Sequence, residues 1–275
     1  MMIEKMKFSV LMSIYHKEKP EYFNRAMFSI WDEQIIKPDE IVLIQDGPLT
    51  DELYKSIDKW KNKLGDVLKT IPLEKNVGLG DALNIGIKNC THELIARMDT
   101  DDISLPDRFE KQLKVFEDID VDICSSWISE FDKDEKEILS FRKLPKTHDE
   151  IVNFAKKRCP INHPAVMYKK SAVEKAGSYG KFRFAQDYHL WARMIVNGAK
   201  FYNIQEPLVN MRAGYGQLER RSGLAYAKNE LNLLKEFRKI GFLNNYEFTR
   251  NVAIRFTARI LPKGIIKQIY KLLRN

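Results

Sequence analysis

The pattern of apolar and polar positions alternates between short apolar runs and amphipathic stretches. Apolar runs of this length are typical of buried strands, and apolar residues that recur every three or four positions are typical of helices. The predicted strands are Phe8–Ile14, Ile41–Ile44, Val67–Leu73 and Leu94–Met98. Helical stretches follow from Pro20, after Thr50, after Gly80 and from Pro106. Because strands and helices alternate as far as residue 119, we predict a doubly wound α/β fold with a mostly parallel sheet.

Beyond residue 120 the pattern predicts a hairpin and shorter elements. Asp122–Phe131 and Glu137–Phe141 flank a charged turn and have the character of an antiparallel pair. Further predicted strands are Ala165–Tyr168, Lys200–Ile204 and Leu208–Met211, and further predicted helices are Thr147–Lys156, Ser171–Ala176 and Gln186–Val196. The chain from Leu224 onward is predicted to be helical. We therefore expect a catalytic domain over residues 1–215, with halves of about 1–120 and 121–215, and a helical extension over 216–275.

Composition supports a globular protein of the cell interior. The chain has 275 residues, and 44% of them are hydrophobic, which provides for a sizeable core. It has no apolar run of about 18 residues and no signal-peptide pattern at its start, so we expect a cytoplasmic protein. Its three cysteines are far apart in sequence, and this spacing predicts free thiols rather than a disulfide framework or a zinc site.

The net charge of +8 is concentrated at the end of the chain. Residues 246–275 hold four arginines and three lysines against one glutamate, which leaves little net charge for the remainder. This distribution argues against a nucleic-acid-binding body. Apolar residues interleave with the basic ones over 250–274, a pattern typical of helices that lie on anionic membrane surfaces. The alternative is a terminal helix packed on the body with a solvated basic side.

Three carboxylates follow the apolar run Leu94–Met98: Asp99, Asp101 and Asp102. Carboxylates held this close repel one another unless a cation lies between them, and a divalent ion that prefers oxygen ligands is the best candidate. The carboxyl ends of strands are also where open α/β sheets bind ligands. The alternative is that the two last carboxylates cap the helix that follows Pro106.

The first two predicted strands also end in potential binding groups. Ser13 lies near the end of the first strand and Tyr15 directly follows it, and Asp46 follows the second strand. Asp46 could bond a base or a ribose, although Asp-Gly-Pro is also ordinary turn chemistry. Gly78-x-Gly80 matches part of a phosphate loop, but no complete glycine-rich loop or P-loop lysine follows the first strand. A dinucleotide-binding site and an NTPase are therefore disfavoured.

Five motifs in order resemble family 2 of the glycosyltransferases, which have the GT-A fold. The motifs are Ser9–Tyr15, Asp46-Gly47, Asn76–Gly86, Ala96–Asp102 and Gln186–Trp191, and the resemblance spans residues 7 to about 212. The Asp-x-Asp-Asp form resembles bacterial enzymes that build O-antigen, capsule or exopolysaccharide repeat units on a lipid diphosphate. The resemblance implies a Rossmann-like sheet flanked by helices, an inverting transfer of galactose or glucose from a UDP-sugar, and a lipid-diphosphate-linked saccharide as acceptor.

The resemblance also implies roles for residues. The nucleotide-sugar would contact Ser13, Tyr15, Asp46, Asn76, Arg97, Asp99 and Arg212. Mn²⁺ or Mg²⁺ would bind Asp101, helped by Asp102, and would neutralise the leaving diphosphate. The lipid-linked acceptor implies a peripheral position on the inner face of the plasma membrane, reached through the basic C-terminal helices.

Asp187 matches the family's catalytic base, although Gln186 stands where an acidic neighbour is usual. Its alternative role is that of a carboxylate favoured by the positive end of its helix. His163 could line the acceptor pocket or be a buried, satisfied histidine. Trp191 could be an acceptor-sugar platform, but its helical spacing also fits a core residue. Arg212, with Arg220 and Arg221, could clamp the diphosphate or form a solvated basic face.

Two other classes of protein share parts of this pattern. A non-catalytic nucleotide-sugar or carbohydrate-binding module could use the same fold, but Asp101 and Asp187 are both present. A sugar-nucleotide synthesising enzyme would need a glycine- and arginine-rich loop after the first strand, where this chain has Tyr15-His-Lys-Glu18. The sequence does not specify the donor sugar, the acceptor sugar, the linkage or the oligomeric state.

Overall fold

A mixed sheet forms the centre of the molecule. The computed structural model describes residues 6–180, 182, 185–213 and 224–260. In the described residues the strands are β1 (Phe8–Ile14), β2 (Glu40–Gln45), β3 (Leu68–Pro72), β4 (Leu94–Arg97), β5 (Ile103–Ser104), β6 (Ile123–Phe131), β7 (Ser140–Arg142), β8 (Met167–Lys169) and β9 (Phe201–Arg212). Their spatial order is β3-β2-β1-β4-β8-β6-β9-β5, with β7 paired to β6.

Helices cover the sheet and extend beyond it. They are α1 (Pro20–Trp31), α2 (Asp51–Leu64), α3 (Leu79–Asn89), α4 (Arg108–Asp118), α5 (His148–Ala155), α6 (Lys170–Lys175), α7 (Gln186–Val196), α8 (Leu224–Lys239) and α9 (Asn245–Ile260). The predicted caps form at two of them. Thr50 Oγ1 accepts a hydrogen bond from Leu53 N at the start of α2, and the Glu150 carboxylate accepts one from Thr147 N at the start of α5.

The predicted alternation of strands and helices is confirmed for the first half of the chain. The pairs β1–β2, β1–β4 and β2–β3 are parallel, as the intervening helices require. Antiparallel ladders enter only from residue 103 onward, where β5, β7 and β8 join the sheet. The predicted hairpin is also present, because β6 and β7 pair in antiparallel register.

One prediction about local structure was wrong, and one short strand was missed. The two short strands predicted over 200–211 are one strand, β9, which passes through Pro207. The register between β6 and β9 shifts around Trp127, opposite Pro207, and such an irregularity is where a sheet accepts a proline. The two-residue strand β5 was not predicted at all, because Ile103-Ser104 is too short to show a period.

The core lies on both faces of the sheet. Alternate residues of β1 divide between the faces: Val10, Met12 and Ile14 pack with α1 and α2, whereas Leu11 packs with α3. A third cluster joins the helical extension to this body. In it, Leu233, Leu234 and Phe237 of α8 pack against Tyr188 and Ala192 of α7.

No helix in the described part of the chain is long and apolar enough to span a bilayer. The boundary predicted at residue 215 lies outside the described residues, so the division into domain and extension stays a prediction. The carboxyl ends of β1, β2 and β4 meet at one edge of the sheet. The donor-side candidates Ser13, Asp46 and Asp99 lie at or just beyond these strand ends.

Candidate active site

Asp46 organises the loop that leads into α3. Its side chain is buried and accepts hydrogen bonds from Val77 N at 2.7 Å, from Gly78 N at 3.1 Å and from Asn76 Nδ2 at 3.0 Å. Gly47 has φ +87°, and a Cβ there would lie 2.6 Å from Asn76 N, so only glycine fits beside this loop. The Asp-Gly turn and the Asn76–Gly78 loop, which sequence reasoning treated separately, therefore form one unit.

Arg97 and Asp99 form an ion pair at the end of β4. The Arg97 guanidinium is buried and donates through two nitrogens to the two carboxylate oxygens of Asp99. The Asp99 side chain is 34% exposed, so its remaining lone pairs face the open side of the site. A carboxylate already neutralised by a guanidinium is a good hydrogen-bond acceptor for a hydroxyl and a weaker ligand for a cation.

Asp101 and Asp102 lie close to each other and to further carboxylates, so their negative charges repel. Burial, followed by the charges of Asp99 and Glu18, raises the pKa of Asp101 to about 7. Burial, followed by the charges of Asp99 and Asp101, raises the pKa of Asp102 well above its usual value. One oxygen of Asp102, Oδ2, is buried and has no hydrogen-bond partner. A positive ligand at this point would relieve both the repulsion and the missing bond.

Few side chains here could act as metal ligands. No three His, Cys, Asp or Glu side chains converge to hold a metal ion in the portion of the chain that the structure describes. Mg²⁺-type sites commonly use one or two carboxylates and take their other ligands from water and from substrate phosphates. Asp101 and Asp102 therefore fit a divalent ion that binds together with a diphosphate, and they do not fit a closed structural metal site.

Arg212 closes the other side of this carboxylate pair. Its backbone N–H donates to Asp102 Oδ1, and its Nε donates to Asp101 O at 3.2 Å. The guanidinium lies between two aromatic rings, 3.9 Å from the centroid of Tyr22 and 4.5 Å from that of Phe131. Arg212 thus lies next to the predicted metal ligands, as a diphosphate clamp requires, and it also fixes their backbone. Arg220 and Arg221 lie outside the described residues.

Asp187 lies in the first turn of α7. Its Oδ2 accepts a weak hydrogen bond from Cys159 Sγ at 3.7 Å. Burial raises the pKa of Tyr179, the Arg97 charge opposes this, and the Asp187 and Asp99 charges add to it. Asp187 and Asp99 are therefore both within electrostatic reach of one tyrosine, although 88 residues of sequence separate them. The fold brings the predicted base to the same region as the donor-side carboxylates.

The two acceptor-side candidates are buried. His163 Nε2 is 2.8 Å from the hydroxyl of Tyr179, and burial followed by the Arg97 charge lowers the pKa of His163 well below its usual value. Trp191 is fully buried, and its ring packs against those of His163 and Tyr168. Of the two roles considered for Trp191, the structure supports the core residue and not the sugar platform, because a platform needs an exposed ring face.

The remaining predicted donor residues border the site. Tyr15 is 42% exposed, Asn76 is exposed, and Ser13 is partly buried at the end of β1. Sequence reasoning missed several residues that hold this region together. Glu18 accepts a hydrogen bond from Thr100 Oγ1 at 2.5 Å. Arg108 is fully buried, and its guanidinium donates a hydrogen bond of 2.7 Å to Arg97 O. A buried arginine has no signature in a single sequence, because arginines usually occupy helix surfaces.

Comparison with known proteins identifies the family. The model of the family described as "Glycosyl transferase family 2" matches residues 9–177, which is more than half of the chain. The chain belongs to glycosyltransferase family 2. It is therefore a glycosyltransferase, and the family resemblance predicted from the five motifs is confirmed.

Family 2 relatives match this chain over nearly its whole length. A UDP-Gal:α-D-GlcNAc-diphosphoundecaprenol β-1,3-galactosyltransferase of Escherichia coli is 39% identical, and the match covers 96% of this chain and 95% of that protein. The amylovoran biosynthesis glycosyltransferase AmsE of Erwinia amylovora is also 39% identical, with 96% and 98% covered. The O-antigen biosynthesis glycosyltransferase WbnJ of Escherichia coli is 30% identical, with 86% and 91% covered.

Solved structures confirm the predicted GT-A fold. S. aureus TarS 1–349 in complex with UDP-GlcNAc superposes with a TM-score of 0.67 at 18% identity and covers 92% of this chain and 72% of that chain. The mannosyltransferase PcManGT of Pyrobaculum calidifontis, in complex with GDP-Man and Mn²⁺, has a TM-score of 0.64 at 15% identity, with 97% and 80% covered. At these identities the likeness concerns the fold of family 2, not the sugar transferred.

Proposed function

We propose that this protein moves a hexose, galactose or glucose, from a UDP-sugar to a sugar hydroxyl of a lipid-diphosphate-linked glycan in surface polysaccharide synthesis. The observation that carries the proposal is its 39% identity, over nearly the full length of both chains, to a galactosyltransferase named for a UDP-galactose donor and a diphosphoundecaprenol-linked acceptor. Relatives named for amylovoran and O-antigen biosynthesis support the same class of product.

The nucleotide-sugar would bind along the carboxyl ends of β1, β2 and β4. Asp46 and the loop it holds, with Ser13, Tyr15 and Asn76, would contact the nucleoside. Asp99, supported by Arg97, would accept hydrogen bonds from hydroxyls of the ribose or the sugar. This division agrees with the charges, because the paired Asp99 favours hydroxyls and the unpaired Asp101 and Asp102 favour a cation.

Asp101 and Asp102 would hold a divalent ion, Mn²⁺ or Mg²⁺. When bound, such an ion supplies Lewis-acid stabilisation of the departing diphosphate. Arg212 would keep these two carboxylates in place through its contacts with Asp102 Oδ1 and Asp101 O, and its guanidinium is close enough to share the diphosphate charge.

Asp187 would act as the general base. Its carboxylate takes the proton of the acceptor hydroxyl while the hydroxyl oxygen forms a bond to the anomeric carbon. The bond between the anomeric carbon and the diphosphate oxygen breaks at the same time, and UDP leaves with the bonding electron pair. Attack from the side opposite the leaving group inverts the anomeric configuration, so an α-linked donor gives a β-linked product.

The basic C-terminal region would place the enzyme at the cytoplasmic face of the plasma membrane, where the lipid acceptor lies. Within α9, Tyr246 is 74% exposed and Ile254 is 62% exposed, which supports a contact surface on this helix. Residues 261–275, which carry much of the predicted basic pattern, lie outside the described residues.

A donor screen tests the proposed function. UDP-galactose, UDP-glucose and their N-acetyl forms are each offered with Mn²⁺ to a synthetic GlcNAc-diphosphate-lipid, and the linkage of any product is determined by NMR. A β-linked hexose product from one UDP-hexose is expected. Metal-dependent UDP binding without transfer to any saccharide acceptor would instead indicate a non-catalytic binding module.

A further inference from the structure

A single asparagine joins the donor half of the site to the segment that carries the proposed base. Asn84 lies in α3, and its side chain makes two hydrogen bonds to one residue 95 positions away. Asn84 Nδ2 donates to Tyr179 O at 2.9 Å, and Asn84 Oδ1 accepts from Tyr179 N at 2.8 Å. An amide side chain that binds both backbone groups of one residue fixes the orientation of that residue as well as its distance.

Helix α3 is anchored firmly on the donor side. The loop immediately before it, residues 76–78, is bound to the buried carboxylate of Asp46. On its other side Gly86 lies against the sheet, where a Cβ would be 2.2 Å from Leu11 Cδ1 and 3.2 Å from Ile44 Cγ1. The helix therefore has little freedom to move independently of β1 and β2, and Asn84 moves with it.

Tyr179 belongs to a segment that has little regular structure of its own. Gly177 and Ser178 both have positive φ, +80° and +55°, and a positive φ is costly for serine. Arg193 of α7 donates to the carbonyl oxygens of Ala176 and Ser178, and the Tyr179 hydroxyl pairs with His163. The segment is thus held from α3, from α7 and from the turn at His163, and Asn84 supplies two hydrogen bonds from α3 to the Tyr179 backbone.

This segment leads directly to Asp187. Ala185, which has φ +59°, precedes α7, and α7 begins at Gln186. The first turn of α3 lies beside both ends of the intervening stretch, because a Cβ built on Gly80 would be 3.7 Å from Gly180 O and 3.8 Å from Gln186 Cγ. Helix α3 therefore lies close to described residues on both sides of this stretch, and one of them, Gln186, directly precedes Asp187.

We propose that Asn84 is a positioning residue that keeps Asp187 aligned with the bound donor. The inference rests on the proposed role of Asp187 as the base. It assigns to Asn84 no contact with substrate; Asn84 acts through the Tyr179 backbone. A displacement of about 1 Å at a reacting group can lower the rate by about 100-fold, so the loss of both hydrogen bonds is expected to act on turnover.

The test compares Asn84→Ala with Asn89→Ala. Asn89 lies on the same helix, but its side chain bonds only to Ile85 O within α3, so it controls for the loss of an amide there. We expect Asn84→Ala to lower kcat for transfer by about 100-fold and to leave the Kd for UDP with Mn²⁺ within about threefold. Asn89→Ala should leave both unchanged. A kcat within threefold of wild type for Asn84→Ala would overturn the proposal.

A double variant separates positioning from general damage. In the Asp187→Asn background there is no base left to misplace, so Asn84→Ala should cause no further loss of turnover. A further loss of about 100-fold in that background would show that Asn84 acts elsewhere and would refute the proposal. If Asn84→Ala does not fold, Asn84→Asp gives the same comparison, because it keeps the acceptor for Tyr179 N and removes the donor to Tyr179 O.

Hydrogen exchange at the Tyr179 amide gives a readout that does not depend on activity. Asn84→Ala should accelerate exchange at this amide, and Asn89→Ala should not. Full turnover in the single variant Asp187→Asn would refute the proposed base, and with it the proposed alignment of that base. Faster exchange at the Tyr179 amide in Asn84→Ala would still show that Asn84 holds the Tyr179 backbone. Unchanged exchange in Asn84→Ala would refute that link whatever the enzyme transfers.

Discussion

The backbone N–H of Arg212 donates a hydrogen bond of 2.8 Å to Asp102 Oδ1, across 110 residues of sequence. This contact joins the end of β9 to the carboxylates that follow β4. It satisfies one oxygen of Asp102 and leaves the other, Oδ2, buried without a partner. The Asp102 carboxylate is therefore held in position from β9, and its charge is compensated only in part.

The pH dependence of stability follows from Asp101. Its pKa is about 7 in the folded protein and close to 3.8 in an unfolded chain, so the folded state binds the proton more tightly. The stability that this group contributes is complete below about pH 4 and is lost as the pH rises through about 7, by up to about 4 kcal/mol. Urea unfolding in the absence of metal, at several pH values, measures how the free energy of unfolding changes with pH. Asp101→Asn should remove this pH-dependent part, and the same slope in both proteins would contradict the assignment.

Asp187→Asn should abolish transfer and spare donor binding. The amide cannot take the proton of the acceptor hydroxyl, so kcat should fall by about 10²–10⁴-fold, whereas the Kd for UDP with Mn²⁺ should stay within a few-fold. Asp149→Asn is the matched control, since Asp149 is also a carboxylate in the first turn of a helix. Product formation and calorimetric UDP binding are measured for both. Turnover retained in Asp187→Asn would reduce Asp187 to a residue that stabilises its helix.

Arg212→Lys should weaken metal-dependent UDP binding by about tenfold and lower stability by about 1–2 kcal/mol. Lysine keeps the charge but loses the planar group that lies between Tyr22 and Phe131 and the fork that reaches Asp101 O and Asp132 O. Arg25→Lys serves as the control, because Arg25 forms its ion pairs with Glu33 and Glu135 at the surface. Equal effects of the two substitutions on UDP affinity would argue against a specific role for Arg212.

Truncation tests the proposed membrane contact, and the structure indicates where to cut. Removal of α9 would also remove Phe248 and Val252 from the cluster around Phe237 and would damage the fold. A chain that ends at Ile260 keeps this cluster and lacks residues 261–275. It should pellet with anionic liposomes less completely than the full chain, and binding of the full chain should weaken at high salt. Equal sedimentation of both chains would remove the basic end of the chain from the proposal.

Much of the fold was predictable because its elements have clear periods. The bounds of β1 and α7 were predicted to the residue. In each case the apolar pattern is clear and stops at polar or turn-forming residues on both sides. The single strand β9 was not predicted, because Glu206-Pro207 interrupts it and only the partner strand shows that the interruption is accommodated. Local pattern carries no information about such a long-range register.

The candidate site was predictable where chemistry is concentrated in sequence. Asp99, Asp101 and Asp102 are close in the chain, and the family motif supplies Asp187. The Asn84–Tyr179 contact was not predictable, because a lone asparagine in an amphipathic helix has many ordinary explanations. For Trp191 the helical spacing with Tyr188 and Ile195 pointed to a core position, and the ring is fully buried.

The unsatisfied oxygen of Asp102 has a practical consequence for finding the donor. Any ligand that binds the native state in preference to the unfolded chain raises the melting temperature, by an amount that grows with the logarithm of its concentration over its Kd. A cation that binds with a donor diphosphate at these carboxylates should therefore raise the melting temperature in the order of donor affinity. Melting curves recorded with each UDP-sugar and Mn²⁺ would then rank the candidate donors before any acceptor has been synthesised.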